Sequence, residues 1–205
     1  MTESGYPIPA EDRERETEVR KSRFIARVHA VRDRQQAMDR LAQARQDHPG
    51  ASHHCWAYVL GRPGAAISAA TNDDGEPSGT AGKPILNVIE HKGIGDVLVI
   101  VVRYFGGVKL GAGGLVRAYA GATEAVLGDL PLRHETPQVH CRLVLDFPDE
   151  QPLRHWLDQH DGTLLDIRYQ ERVTVEVAIP STQHDALIDF TGAQGITAPE
   201  TLNHS

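Results

Sequence analysis

The sequence predicts an α+β protein built as two modules, and three observations lead there. Strand-like and helix-spaced runs of apolar residues alternate along all 205 residues, which fits neither an all-helical nor an all-strand class. The charge balance breaks partway. Residues 1–121 hold 16 Lys/Arg against 14 Asp/Glu, a balance of +2, while residues 122–205 hold 5 against 14, a balance of −9. Such a change marks two surfaces of different character. Finally, residues 128–137 form a break marked by Pro131 and Pro137, after which the pattern starts afresh.

Composition narrows the class. Apolar residues make up 40% and charged residues 24%, enough for a core and too little bias for global disorder. Aromatics at 5% argue against a surface carrying many base-stacking rings. Cys55 and Cys141 are two distant thiols with no Cys-x-x-Cys, so no disulfide framework is expected. No apolar run approaches the roughly 20 residues of a membrane span, and the polar N-terminus lacks a signal-peptide core. The expectation is a cytoplasmic protein without membrane contact.

In chain order, residues 1–15 read as a flexible lead-in with Gly5, Pro7 and Pro9. Residues 16–31 alternate as strands, with Lys21-Ser22-Arg23 bending one into the next. Asp33 is placed to cap a helix carrying Ala37, Met38, Leu41 and Ala42, which stops near His48-Pro49-Gly50. Residues 55–60 and 65–71 read as a strand pair joined by Gly61-Arg62-Pro63-Gly64. Ala81, Ile85, Val88 and Ile89 share one helix face, with Pro84 in the first turn, where its missing N–H costs little. Thr80 or Ser78 is the expected cap. Residues 97–102 are continuously apolar, as in a strand buried on both faces. Leu115, Ala118, Tyr119, Ala122, Val126 and Leu127 form the face of a further helix. Beyond the break, strands at 140–147, 164–169 and 173–179, helices at 152–160 and 183–191, and a last strand at 195–198 give the order β-α-β-β-α-β, the ferredoxin-like pattern. The expected domains are 16–130 and 138–205.

Two dense stretches carry the chemistry. The first is Asp73-Asp74-Gly75-Glu76-Pro77-Ser78-Gly79-Thr80-Ala81-Gly82-Lys83-Pro84. The second is Val102-Arg103-Tyr104-Phe105-Gly106-Gly107-Val108-Lys109-Leu110-Gly111-Ala112-Gly113-Gly114-Leu115-Val116-Arg117-Ala118-Tyr119. Glycines between a buried strand and a helix turn backbone amides toward an anion, and the helix start adds partial positive charge. Arg103, Lys109 and Arg117 add full charges. The named nucleotide motifs nevertheless fail: Ala112 stands where a P-loop needs Lys, and Val116 where a dinucleotide fingerprint needs Gly. The glycines are equally read as tight turns and close packing. Asp73, Asp74 and Glu76 lack calcium-loop spacing. They are read first as turn or helix-capping residues, and otherwise as an acidic site or as internal ion-pair partners. His53-His54-Cys55 does not complete a zinc site, because strand neighbours point to opposite faces and no second ligand pair stands out. No catalytic residue, metal or cofactor is assigned.

These two stretches resemble the signature blocks of the IMPACT family, and Lys21-Ser22-Arg23-Phe24 and His53-His54-Cys55-Trp56-Ala57 match two smaller blocks. The resemblance covers about residues 15–130, and residues 138 onward are similar to the C-terminal domain of bacterial members. It implies an N-terminal α/β sandwich like the second domain of a small-subunit ribosomal protein, followed by a ferredoxin-like domain. It also implies a place in translational control, the role of eukaryotic relatives. No catalytic residues transfer. The expected function is therefore a non-enzymatic translation regulator or accessory factor contacting RNA, ribosome or a translation protein, with no DNA specificity. Lys83, Arg103, Lys109 and Arg117 would supply the basic contact, with loop amides at Gly106, Gly107, Gly111, Gly113 and Gly114. Arg103 and Arg117 would alternatively pair inward with Asp73, Asp74 or Glu76. A phosphate-ligand binder or small-molecule enzyme using the same loop is the competing expectation.

Overall fold

The computed structural model describes residues 5–202. The chain divides into two compact units, Tyr6–Glu135 and a second beginning at Thr136, a division inside the proline-marked stretch.

The first unit is an antiparallel sheet with helices on both faces. It comprises β1 (Tyr6–Pro9), β2 (Arg13–Val19), β3 (Ser22–Ala30), α1 (Arg34–Asp47), β4 (His53–Leu60), β5 (Ser68–Asn72), α2 (Gly82–Lys92), β6 (Val97–Tyr104), α3 (Gly111–Leu127) and β7 (Leu132–Glu135). The strand order β2-β3-β6-β4-β5 puts β6 at the centre, which is why its run from Val97 to Arg103 is buried throughout. Alternation sorts the side chains between the two faces. Phe24, Ala26, Val28, Cys55, Ala57, Val97, Val99 and Val101 pack with Ile85, Ile89, Leu115, Ala118 and Tyr119 of α2 and α3. Ile25, Trp56, Tyr58, Leu98, Ile100 and Val102 face the opposite way, toward Ala37, Leu41 and Ala44 of α1. Asp33 caps α1 as expected, its Oδ1 accepting from the Gln36 N–H at 2.8 Å. Gly93 ends α2 in the left-handed conformation at φ 65°.

The lead-in differs from expectation. Residues 1–4 of it lie outside the described residues, but β1 and the start of β2 are regular structure. β1 pairs antiparallel with β7, Tyr6 to Glu135 and Ile8 to Arg133. Pro7 and Pro9 alternate with residues that retain their N–H, so a two-stranded ribbon tolerates both prolines. Ile8 is buried, and the Tyr6 hydroxyl donates to Asp96 Oδ2 at 2.8 Å.

The second unit contains β8 (Gln138–Leu145), α4 (Glu150–Gln159), β9 (Thr163–Tyr169), β10 (Val173–Pro180), α5 (His184–Gln194) and β11 (Glu200–Leu202). Its antiparallel order β11-β8-β10-β9 is the ferredoxin-like arrangement. Cys141, Leu143, Leu145, Val175 and Val177 pack with Leu153, Trp156, Leu157 and Leu187 in a separate core. The last strand, expected at 195–198, lies at Glu200–Leu202 instead. Gly195 closes α5 at φ 70°, and Ile196 turns into the core before pairing begins. Residues 203–205 of the expected module lie outside the described residues.

Candidate functional site at two helix starts

The acidic stretch closes the start of α2. Asp73 reaches forward, with Oδ1 accepting from the N–H groups of Ala81 at 3.0 Å and Gly82 at 2.8 Å, and Oδ2 from Gly79 at 2.7 Å. One carboxylate thus satisfies amides that the helix leaves without partners and sits at its positive end. Burial works against the charge on Asp73, but the amides of Gly79, Gly82 and Ala81 outweigh it and hold the carboxyl below its usual range. The expected caps do not act here. Thr80 instead donates its hydroxyl to the Pro77 carbonyl at 2.6 Å. Asp74, at φ 42°, accepts from the His54 N–H at 2.6 Å and from Arg45 at 3.2 Å, joining the loop to β4 and α1.

Glu76 is the third carboxylate, and it points inward. Its Oε1 accepts from Arg103 Nη1 at 2.6 Å and from the Tyr119 hydroxyl at 2.8 Å. Arg103 is 5% exposed, and its guanidinium lies 5.5 Å from the Phe24 ring and 5.6 Å from the Phe105 ring. Its Nη2 donates to Ser22 Oγ at 3.3 Å, and the same oxygen accepts from the Gly106 N–H at 3.2 Å. Cys55 Sγ lies 3.3 Å from the Tyr119 hydroxyl. Burial pushes the Cys55 thiol up to about 12, so at neutral pH it is no nucleophile. Burial likewise raises Tyr119 far above the ordinary phenol range, with the neighbouring thiol and carboxylate adding to it. This network is a lock between the two dense stretches, with His53 Nε2 at its edge 3.8 Å from Glu76 Oε1.

The glycine stretch leaves the start of α3 open. Gly106 packs so closely on the β2–β3 hairpin that a Cβ there would lie 2.0 Å from the Lys21 carbonyl carbon. Gly107 and Gly111 take φ values of 83° and 70°, the left-handed region that glycine enters freely. No side chain caps α3. Ala112 and Gly113 in its first turn are exposed, as are Lys109 and Arg117, neither of which makes an ion pair among the described residues. A cavity of about 240 Å³ opens beside this start, lined by Glu76, Arg103, Phe105, Lys109 and Gly111 among others. A neighbouring one of about 170 Å³ has Arg20, Gly114 and Arg117 in its lining.

Lys109, Gly111, Arg103 and Glu76 are therefore brought together, and Gly114 joins Arg117 next to them. Lys83 is exposed in the first turn of α2 and lines neither cavity. Arg103, expected either on the basic face or paired inward with an acidic residue, is turned inward by Glu76. Arg117 does not follow it. Sequence reasoning missed Tyr119, Ser22, Arg20 and Phe105 as members of the site. Ser22 and Tyr119 do stand inside recognisable blocks, which was the available signal.

The Impact N-terminal domain model matches residues 20–127, and a domain of unknown function matches residues 143–193. The IMPACT family member YigZ of Escherichia coli (strain K12) is 37% identical over 166 residues, covering 81% of each protein. The family member YvyE of Bacillus subtilis (strain 168) is 34% identical over 186 residues, covering 91% of this chain and 85% of the relative. The crystal structure of a hypothetical protein aligns over 98% of both chains with a TM-score of 0.77 at 33% identity. With more than half the chain under one family model and relatives above 30% identity matched over some four-fifths of their length, the chain belongs to the IMPACT family.

Proposed function

We propose that the protein is a non-enzymatic accessory factor of translation that contacts RNA or ribosome through the start of α3. Family membership supports the link to translation. The observation that carries the contact is the contrast in charge disposition: the uncapped, exposed first turn of α3 is flanked by Lys109 and Arg117, both without ion pairs among the described residues. Backbone amides and two free cations are what a phosphate backbone requires. Gly106, Gly107, Gly111, Gly113 and Gly114 shape the loop, and Lys83 extends the positive surface. Arg103 acts indirectly, holding the loop in place through Glu76 and Ser22.

The competing ligand reading is less well supported. The cavity of about 240 Å³ beside α3 falls below the roughly 300–1,000 Å³ of small-molecule pockets. The Cys55 and Tyr119 protonation states supply no catalytic group.

Ribosome co-sedimentation across a salt series tests the proposal. Binding should weaken as salt rises, and Lys109→Glu and Arg117→Glu should each weaken it further and flatten the salt slope by about 1 per lost contact. Absence of binding at low salt, or charge reversals without effect, would overturn it.

A further inference from the structure

We propose that the cavity beside α3 receives one unpaired nucleobase of a single-stranded RNA, stacked on Phe105, with the adjoining phosphate at Lys109 and the first turn of α3; this rests on the RNA contact proposed above. Phe105 is 50% exposed although it lies just beyond a strand buried from Val97 to Arg103. The backbone that carries the ring is anchored. The Phe105 backbone N–H donates to Ser52 Oγ at 3.3 Å, and the next residue, Gly106, is wedged against Lys21 with no room for a side chain. The Arg103 guanidinium lies 5.6 Å from the ring centroid, and Arg103 is itself fastened to Glu76 at 2.6 Å. An aromatic on an anchored backbone with half its surface in solvent, beside unpaired positive charge, is the element with which proteins hold unstacked bases.

The rest of the cavity matches a base in chemistry and in size. Pro77, Leu110 and Leu115 supply apolar walls. Glu76 and Arg103 are the buried polar end. Glu76 Oε1 receives the two protein hydrogen bonds, which leaves Oε2 as an acceptor for a ring N–H or exocyclic amino group. Arg103 Nε is buried and has no partner among the described residues. A volume of about 240 Å³ holds one planar group of a larger ligand rather than a whole cofactor. The low aromatic content of the chain fits a single stacking position better than a platform for many bases. A base inside a duplex has both faces covered by its neighbours and cannot enter, so the site selects single strands.

Fluorescence anisotropy with the full chain tests this, using a short unstructured oligoribonucleotide and a blunt, perfectly paired RNA duplex of equal total charge. The expected result is tighter binding of the single strand, with Phe105→Ala weakening it about tenfold or more. The duplex should be unaffected by Phe105→Ala, and Phe105→Trp should restore single-strand binding. Lys109→Glu should weaken both probes. If Phe105→Ala binds the single strand as the parent does, or weakens both probes equally, while Lys109→Glu still weakens both, the base pocket is refuted and the RNA contact stands. Equal parental affinity for the two probes also refutes the pocket. If the parent binds neither probe at low salt, both proposals fall. Equal thermal midpoints for parent and Phe105→Ala show that the comparison is between folded proteins.

Discussion

α2 and α3 pack on the same face of one sheet, and each begins just after a glycine-bearing loop, yet one start is closed and the other open. At α2 the chain supplies its own anion: Asp73 binds Gly79, Ala81 and Gly82. At α3 no side chain caps the helix, and the exposed charges nearby include the cations Lys109 and Arg117. The same physical feature, a helix start with unsatisfied amides, therefore serves stability in one place and is left available in the other. Composition does not separate these cases. What separates them is whether a carboxylate from elsewhere in the chain reaches the amides.

The ion pair between Glu76 and Arg103 ties the two starts together, one partner in the closed loop and the other in the strand leading to the open one. Its rupture should give the largest effect. Glu76→Ala leaves a buried guanidinium without its counter-charge and the Tyr119 hydroxyl without its acceptor. The expected loss is about 3–5 kcal/mol in urea unfolding. A double change to Glu76→Leu with Arg103→Met should recover part of it, because apolar replacement of both partners removes the unpaired charge. A loss no greater than that of an exposed substitution, about 0.5 kcal/mol, would show that the loops are independent and would remove the common hinge from the comparison.

Asp73→Ala opens the closed start and should cost about 2 kcal/mol, the upper range for a helix cap, since three amides lose an acceptor together. The effect carries a pH signature. The folded carboxyl titrates below its unfolded value, so its stabilisation is complete above about pH 4 and disappears as pH falls through the folded pKa. The gap between parent and variant in unfolding free energy should therefore be widest near neutral pH and close on acidification. A gap that stays constant down to strongly acidic pH would mean that the lost stability was packing rather than the capping charge.

The fold was largely readable in advance because its signals are local. Asp33 stands next to the helix it caps, and the strand alternation of 138–180 needs no distant information. The site was less readable because its decisive contacts are not local. Inward pairing of Arg103 with an acidic residue is one of two open readings of the sequence, and nothing near Arg103 decides between them or picks out Glu76, 27 residues earlier. Lys109 has no such partner and stays outside, although both are cations beside glycines. β1 was hidden for the same reason: its partner β7 lies more than 120 residues away in the chain. The β2–β3 turn, expected at Lys21-Ser22-Arg23, lies at Arg20-Lys21. These two take φ values of 46° and 66° without glycine or asparagine, so the residues themselves do not fix its position. Tertiary contact at Gly106 accompanies that strained tip, and the spacing of glycines alone does not report it.

The smallest expected effect is the sharpest test of why α3 is open. Ala112 is exposed in its first turn, so Ala112→Glu adds a negative charge where the helix start favours one. If the open start is a stability defect retained for binding, the variant should gain about 0.3–1 kcal/mol in unfolding free energy. The same charge should repel an RNA phosphate from Lys109 and the first-turn amides, lowering ribosome association. Stability and binding would then move in opposite directions from one surface change, which a general folding defect cannot produce. A gain in stability with unchanged binding would show that α3 is open for some other reason. A loss of stability would show that its start is already satisfied, and the contrast with α2 would no longer stand.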